Sequence, residues 1–245
     1  MNKVYIFDVD GTLTPSRRTM TPDFEDFFYE WSKDKTFYLV SGSDLDKIKE
    51  QIGYLYLDRA KGIFTCGGNK FYINNKLEYE KAFKPPENLL TYLGFQIKIS
   101  DTPVQASNHR EDRGSMLNFS IVGRDCTLEE RQKYFEWDNQ VGERERIAKS
   151  IRDGWPDLDA TIGGQISIDI APKGNDKSQV IKRVKNNNTN CEYIFVGDRT
   201  MKGGNDYPLA KAMRELGNCQ VFQAGEPSAE DGYIKTKEIL EKLEK

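Results

Sequence analysis

Histidine occurs once in the 245 residues, as His109. A histidine-dependent catalytic triad and a His-rich metal centre are thereby excluded, and any chemistry must run on carboxylates, Lys, Arg or a cofactor. Cysteine is almost as sparse. Cys66, Cys126, Cys191 and Cys219 lie far apart with no CxxC pair, a pattern that suits free thiols of a cytoplasmic protein and neither a disulfide frame nor a zinc site. Long apolar runs are missing: none approaches the roughly 18 residues of a membrane span, and Met1–Asp8 reads as a strand rather than a signal peptide. No membrane partner is expected. Neither sign of charge prevails, with 36 basic against 39 acidic side chains and a net charge of −3, so there is no electrostatic case for nucleic acid. Repeats and low-complexity tracts are also lacking. What the chain does have is 13 Phe, 12 Tyr and 3 Trp, enough large side chains for a packed core in one or two domains.

The residue pattern divides the chain. Lys3–Asp10 reads as a buried strand that feeds a glycine turn. Thr21 is a plausible cap for a helix with Pro22 at its first position and acids in its first turn. Thr36–Val40 is a second strand, and Ser43 is expected to cap a helix over Asp44–Ile52, where Leu45, Ile48 and Ile52 share one face. Gly62–Thr65 and Lys70–Ile73 are further strands. This rhythm points to an α/β fold with a parallel sheet. It changes at Lys84-Pro85-Pro86. Phe95–Ser100 and Met116–Val122 alternate as half-buried antiparallel strands do. Thr127 and Glu130 form a capping box for a helix to about Asp138, Glu143–Arg152 is a second helix, and Gln165–Ile170 alternates with Ile166, Ile168 and Ile170 on one face. The α/β rhythm returns after Pro172-Lys173-Gly174, with a helix over Ser178–Lys185, a strand over Cys191–Val196 and a last amphipathic helix over Lys235–Leu243. The expected organisation is a core (1–83), an inserted α+β domain with an antiparallel sheet and helices (84–173), and the rest of the core (174–245).

Four chemical features fall at expected strand ends: Asp8-Val9-Asp10-Gly11, Ser41, Lys177, and Gly197-Asp198 with Asn205-Asp206 beyond. In a parallel α/β sheet the C-terminal strand ends converge on one ligand crevice. A lone Asp-x-Asp at a strand end is ordinarily a solvated loop, but the ordered set gives a site dense in carboxylates. Such a site demands a hard cation, for which Mg²⁺ is the natural choice. A carboxylate there can attack phosphorus, a neighbouring Asp can move the proton, and Lys177 and Ser41 can stabilise the phosphoryl oxygens. In the insertion, Arg124 is expected at a strand end and Arg131 in the next helix's first turn, where the two could converge on one anion. Ser167 and Asp169 share the polar face opposite the three isoleucines.

Asp8–Thr14 (DVDGTLT), Ser41, Lys177 and Gly197-Asp198 resemble the four motifs of the haloacid dehalogenase superfamily. Met116–Arg124, Gly163–Asp169, Asn175-Asp176-Lys177 and Gly197–Asp206 resemble the eukaryotic-type phosphomannomutase family within it. The resemblance runs from Lys3 to about Asp206. It implies a Rossmann-like core with an inserted cap. It implies Asp8 as nucleophile and Asp10 as general acid/base, with the Asp10 backbone carbonyl on Mg²⁺. Asp198 follows as a metal ligand, with Asn205 and Asp206 near it. Arg17 would meet the sugar phosphate, Arg113, Arg124 and Arg131 would clamp a distal phosphate, and Ser167 and Asp169 would hold sugar hydroxyls. It further implies a hexose 1,6-bisphosphate activator and a homodimer through the cap. Two positions depart from the usual family pattern: Ser41 replaces a glycine, and Gly67-Gly68 replaces an Asn-Gly pair. Superfamily phosphatases carry Ser or Thr at the position of Ser41.

The expected function is a Mg²⁺-dependent phosphohexomutase acting on a phosphorylated hexose, most simply mannose phosphate. The alternatives are a sugar-phosphate phosphatase on the same scaffold, with water as acceptor, and a catalytically silent phosphosugar-binding module. Intact Asp8, Asp10, Lys177 and Asp198 argue against the last. Cys66 is expected to be inert and His109 to lie at the surface.

Overall fold

A computed structural model describes residues 2–226 and 230–244. Met1 and Lys245, the outer bounds of the expected core, lie outside the described residues. The chain forms two compact units, one running up to Glu80 and resuming at Asp176, the other spanning Lys81–Asn175.

The first unit opens with β1 (Asn2–Asp8), α1 (Pro22–Trp31), β2 (Thr36–Val40), α2 (Leu45–Ile52), α3 (Tyr54–Arg59), β3 (Gly62–Thr65), β4 (Lys70–Ile73) and β5 (Lys76–Glu80). The second unit follows as α4 (Glu87–Ile99), β6 (Arg110–Asp112), β7 (Leu117–Phe119), α5 (Leu128–Val141), α6 (Glu143–Gly154), β8 (Leu158–Gly163) and β9 (Ser167–Pro172). The first unit then resumes as α7 (Gln179–Asn187), β10 (Cys191–Gly197), α8 (Tyr207–Arg214), β11 (Cys219–Gln223) and α9 (Gly232–Leu243). Among the described residues no helix is long and apolar enough to cross a membrane.

The first unit's sheet has the order β11-β10-β1-β2-β3-β4-β5. Its first five strands are parallel, and β4 and β5 extend it antiparallel. Both faces are covered because β1 is apolar on both sides. Tyr5 and Phe7 pack with Phe24, Phe28 and Trp31 of α1, while Val4 and Ile6 pack with Val180, Ile181 and Val184 of α7. This two-sided burial explains the continuous apolar run of the strand. Phe7 meets the Phe28 ring edge-on, with centroids 5.7 Å apart, an arrangement that aromatic quadrupoles favour.

The second unit carries an antiparallel sheet in the order β6-β7-β9-β8. One face buries Leu117, Phe119, Ile168 and Ile170 against Leu89 and Leu93 of α4 and Ile147 and Ile151 of α6. Thr127 caps α5 through the full capping box with Glu130.

Several local expectations are corrected. Phe95–Ser100 is the end of α4 and not a strand. Leu89, Leu93 and Gln96 recur at helical spacing on its buried side, leaving Phe95 and Ile99 exposed; packing of that face overrides a six-residue alternation. Only Leu117–Phe119 of the expected strand Met116–Val122 makes a ladder, so Arg124 lies in a turn beyond the strand and not at its end. The cap of α2 is Asp44 rather than Ser43, its carboxylate accepting from the Lys47 N–H at 2.8 Å. His109 is half-buried, with Nδ1 3.0 Å from the Ser120 carbonyl oxygen.

Candidate active site

Strand register gathers the core residues. In the parallel ladder Asp8 lies beside Val40, and Phe7 lies beside Val196. Asp8, Ser41 and Asp198 therefore sit at the C-terminal ends of three adjacent strands, β1, β2 and β10. A turn follows Asp8 at Gly11, whose φ is +75°; a β-carbon there would lie 2.8 Å from the Asp198 carboxylate. Only glycine combines that backbone with so close an approach of the acid.

Lys177 reaches this end from just before α7. Its Nζ lies 2.6 Å from Asp8 Oδ1 and 2.6 Å from Asp206 Oδ1. Its side chain is 2% exposed, with Asp8 and Asp206 similarly buried. The second Asp206 oxygen accepts from the Arg199 N–H at 3.0 Å. Asp206 thus holds both Lys177 and the loop after β10. Ser41 is buried, its Oγ accepting from the Ser43 N–H at 3.0 Å. Asn205 is half-buried beside Asp206.

The electrostatics are unbalanced. Burial lifts the Asp8 carboxyl well above the usual carboxylate range, and the charges of Asp206 and Asp198 add to this while Lys177 opposes it. For Lys177 burial works against the charged form, but Asp206 and Asp8 outweigh it and hold the ammonium protonated. Carboxylate oxygens of Asp8, Asp198 and Asp206 lie within 4.8 Å of one another. Three buried acids face the Lys177 ammonium and the Arg199 guanidinium, which lies 4.0 Å from Asp198, and this leaves an excess of negative charge in the site. Its all-oxygen donors match a hard divalent cation such as Mg²⁺.

Asp10 is held separately. Its Oδ1 accepts from the Arg17 N–H at 2.8 Å and from Gln51 Nε2 at 2.9 Å. Arg17 takes a left-handed backbone, φ +59°, to present that N–H. No sequence motif singles out Gln51 as a partner of Asp10. Its signal was a polar residue on the apolar stripe of α2, three residues after Ile48, and it is 2% exposed.

In the second unit, Glu111 Oε2 lies 2.9 Å from Arg113 and 2.5 Å from Arg124. Those two arginines are therefore brought together, on a carboxylate. Arg131 is buried in the first turn of α5. Ser167 and Asp169 lie on β9, and both bond to Asn118 of β7, a second residue the sequence reading did not single out. Its signal was an amide inside the apolar run Met116–Val122. Cys66 is fully buried.

A family profile described as eukaryotic phosphomannomutase matches residues 24–241. A phosphomannomutase of Encephalitozoon cuniculi is 36% identical, over 98% of this chain and 94% of its own. That of Arabidopsis thaliana is 34% identical, over 97% and 96%. Among solved structures, a sugar phosphatase of subclass IIB of the haloacid dehalogenase superfamily superposes with a TM-score of 0.60 at 14% identity, covering 99% of both chains. A Thermoplasma acidophilum protein does so with a TM-score of 0.60 at 17% identity, covering 100% of this chain and 99% of its own. These structural likenesses establish the fold.

Proposed function

The chain belongs to the eukaryotic phosphomannomutase family, and from that premise we propose that this enzyme is a Mg²⁺-dependent phosphohexomutase, interconverting hexose 6-phosphate and hexose 1-phosphate with mannose as the preferred sugar. The observation that carries the reading is Lys177 buried between Asp8 and Asp206, beside Asp198.

Asp8 is the nucleophile. One of its oxygens attacks phosphorus as the bond from phosphorus to the sugar oxygen breaks, leaving an aspartyl-phosphate. Asp10 gives a proton to the departing oxygen and later takes one from the accepting hydroxyl. A hexose 1,6-bisphosphate loads the enzyme and is regenerated as an intermediate, so it acts as activator. Lys177 and the Ser41 hydroxyl stabilise charge on the transferring group. Asp8, the Asp10 backbone carbonyl and Asp198 would hold Mg²⁺, with Asn205 and Asp206 beside them. When bound, the cation supplies charge neutralisation for the carboxylates and the phosphoryl oxygens.

The second unit, expected over residues 84–173, acts as the cap. Arg113, Arg124 and Arg131 hold the phosphate that is not being transferred, since guanidinium groups suit forked phosphate binding. Arg17 meets the sugar phosphate from the core, and Ser167 and Asp169 bind sugar hydroxyls. The assembly is a homodimer through this unit, working in the cytoplasm.

The test is a phosphorus NMR time course with mannose 1-phosphate, Mg²⁺ and a trace of glucose 1,6-bisphosphate. Accumulation of mannose 6-phosphate is expected. Inorganic phosphate appearing faster than the isomer would make the protein a phosphatase, and no hexose 6-phosphate at all would defeat the reading.

A further inference from the structure

Four polar residues stand in one row across the second unit's sheet: Glu111 of β6 lies opposite Asn118 of β7, Asn118 opposite Asp169 of β9, and Asp169 opposite Thr161 of β8. Directly opposed residues share a face of the sheet, so this row lies on the face away from the isoleucines. Asn118 in the middle of the row is 3% exposed. Its Nδ2 donates to Asp169 Oδ1 at 2.6 Å. Its Oδ1 accepts from the Ser167 hydroxyl at 3.2 Å and also from the Arg124 guanidinium.

These partners fix the amide. The oxygen must face the guanidinium and the nitrogen the carboxylate; the flipped amide would mismatch both charged partners, while the Ser167 hydroxyl could serve either orientation. Asp keeps the acceptor but cannot donate to Asp169. Leu offers neither. The other Asp169 oxygen is limited too: a β-carbon on Gly163 would lie 2.5 Å from Oδ2, so the absence of one leaves the room that the carboxylate fills.

We propose that Asn118 is a positioning residue for the phosphosugar. One amide sets the Arg124 guanidinium, the Ser167 hydroxyl and the Asp169 carboxylate together, so that the phosphate-binding group and the hydroxyl-binding groups are held in a single fixed relation. The proposal rests on the phosphohexomutase reading given above. It goes beyond that reading by assigning the geometry of the sugar site to a residue that need not touch the sugar. A merely structural amide would satisfy buried partners with no selective effect on sugar binding.

The experiment compares the full-length wild type with Asn118→Asp and Asn118→Ala. Binding of mannose 1-phosphate is followed by calorimetry, its turnover by kcat and KM, and hydrolysis of acetyl phosphate as a phosphoryl donor that carries no sugar. Melting curves run alongside. In Asn118→Asp the carboxylate opposite Asp169 replaces a hydrogen bond to a charged group, and affinity for mannose 1-phosphate should fall about 10- to 100-fold. The loss should appear chiefly in KM, with acetyl phosphate hydrolysis within twofold of wild type. Asn118→Ala should show the same split. Unchanged affinity in both variants would overturn the proposal, and so would a parallel loss of acetyl phosphate hydrolysis, which would mark a role in folding. A wild type that binds and isomerises mannose 1-phosphate while both variants do likewise defeats the Asn118 proposal alone. A wild type that binds no hexose phosphate defeats the function reading and this proposal with it.

Discussion

Lys177 Nζ lies 2.6 Å from Asp8 Oδ1, with both side chains almost wholly buried. The same ammonium serves Asp206, so one cation is shared by two acids. Replacing Lys177 with Met leaves both carboxylates buried without their counter-charge. Removing one partner of a buried pair costs about 3–5 kcal/mol. Urea unfolding of Lys177→Met should therefore show a loss of that order at pH 7, and turnover of mannose 1-phosphate should fall by about 10²–10³. A variant as stable and as active as wild type would contradict the pairing.

Asp8→Asn should separate stability from activity. Burial and the neighbouring acids penalise the charged form of Asp8, so a neutral isostere relieves the folded state. Without added cation the variant should melt higher, by roughly 2–4 °C for each kcal/mol gained. It should also give no phosphorylated protein by intact mass after exposure to glucose 1,6-bisphosphate. A phosphorylated variant would place the nucleophile elsewhere.

Mg²⁺ should stabilise the protein by binding the folded state, by about 2.7 kcal/mol at a hundredfold excess over Kd. Chelation should lower Tm and stop turnover. In Asp198→Asn the Mg²⁺-dependent rise in Tm should shrink. If wild-type Tm is indifferent to Mg²⁺, the carboxylate cluster is not its site.

Glu111 pairs with both Arg113 and Arg124, so under the proposed function it would compete with an incoming phosphate for them. Glu111→Gln removes that charge, and one partly exposed pair is worth about 1 kcal/mol. Affinity for mannose 1-phosphate should rise about fivefold by calorimetry. Weaker binding would show instead that Glu111 orients the two guanidinium groups.

Glu143 provides a pH signature within the second unit. It accepts from the Ser100 hydroxyl at 3.0 Å, yet burial raises its pKa above 4.5. Between 4.5 and the raised folded value the native state binds more protons than the unfolded one. The stability that the raised value contributes is present below pH 4.5 and is lost as pH rises through the folded value. Glu143→Gln should thus gain stability over wild type near pH 8 and lose that advantage near pH 4, as judged by Tm. A pH-independent difference would show that titration of Glu143 is not coupled to folding.

The sequence by itself determined which charged residues stand at the strand ends of the core. Asp8, Asp10, Lys177 and Asp198 were legible because a parallel sheet delivers strand ends to one place, and short motifs mark those ends. The capping box at Thr127 and Glu130 was equally legible, since its bonds are local. Tertiary structure decided what depends on partners distant in sequence. Asp8 and Lys177 are 169 residues apart in sequence, and their contact follows from the packing of α7 on the sheet. Gln51 reaches Asp10 across 41 residues, and Asn118 reaches Asp169 across 51. A lone amide in an apolar run carries no sign of its target; only strand register supplies one. Likewise Phe95–Ser100 has a strand's alternation, and its helical state was set by Leu89 and Leu93 burying in the second unit's core. Local bonds and strand ends are written in order along the chain, whereas side-chain partners across a sheet exist only once the strands have paired.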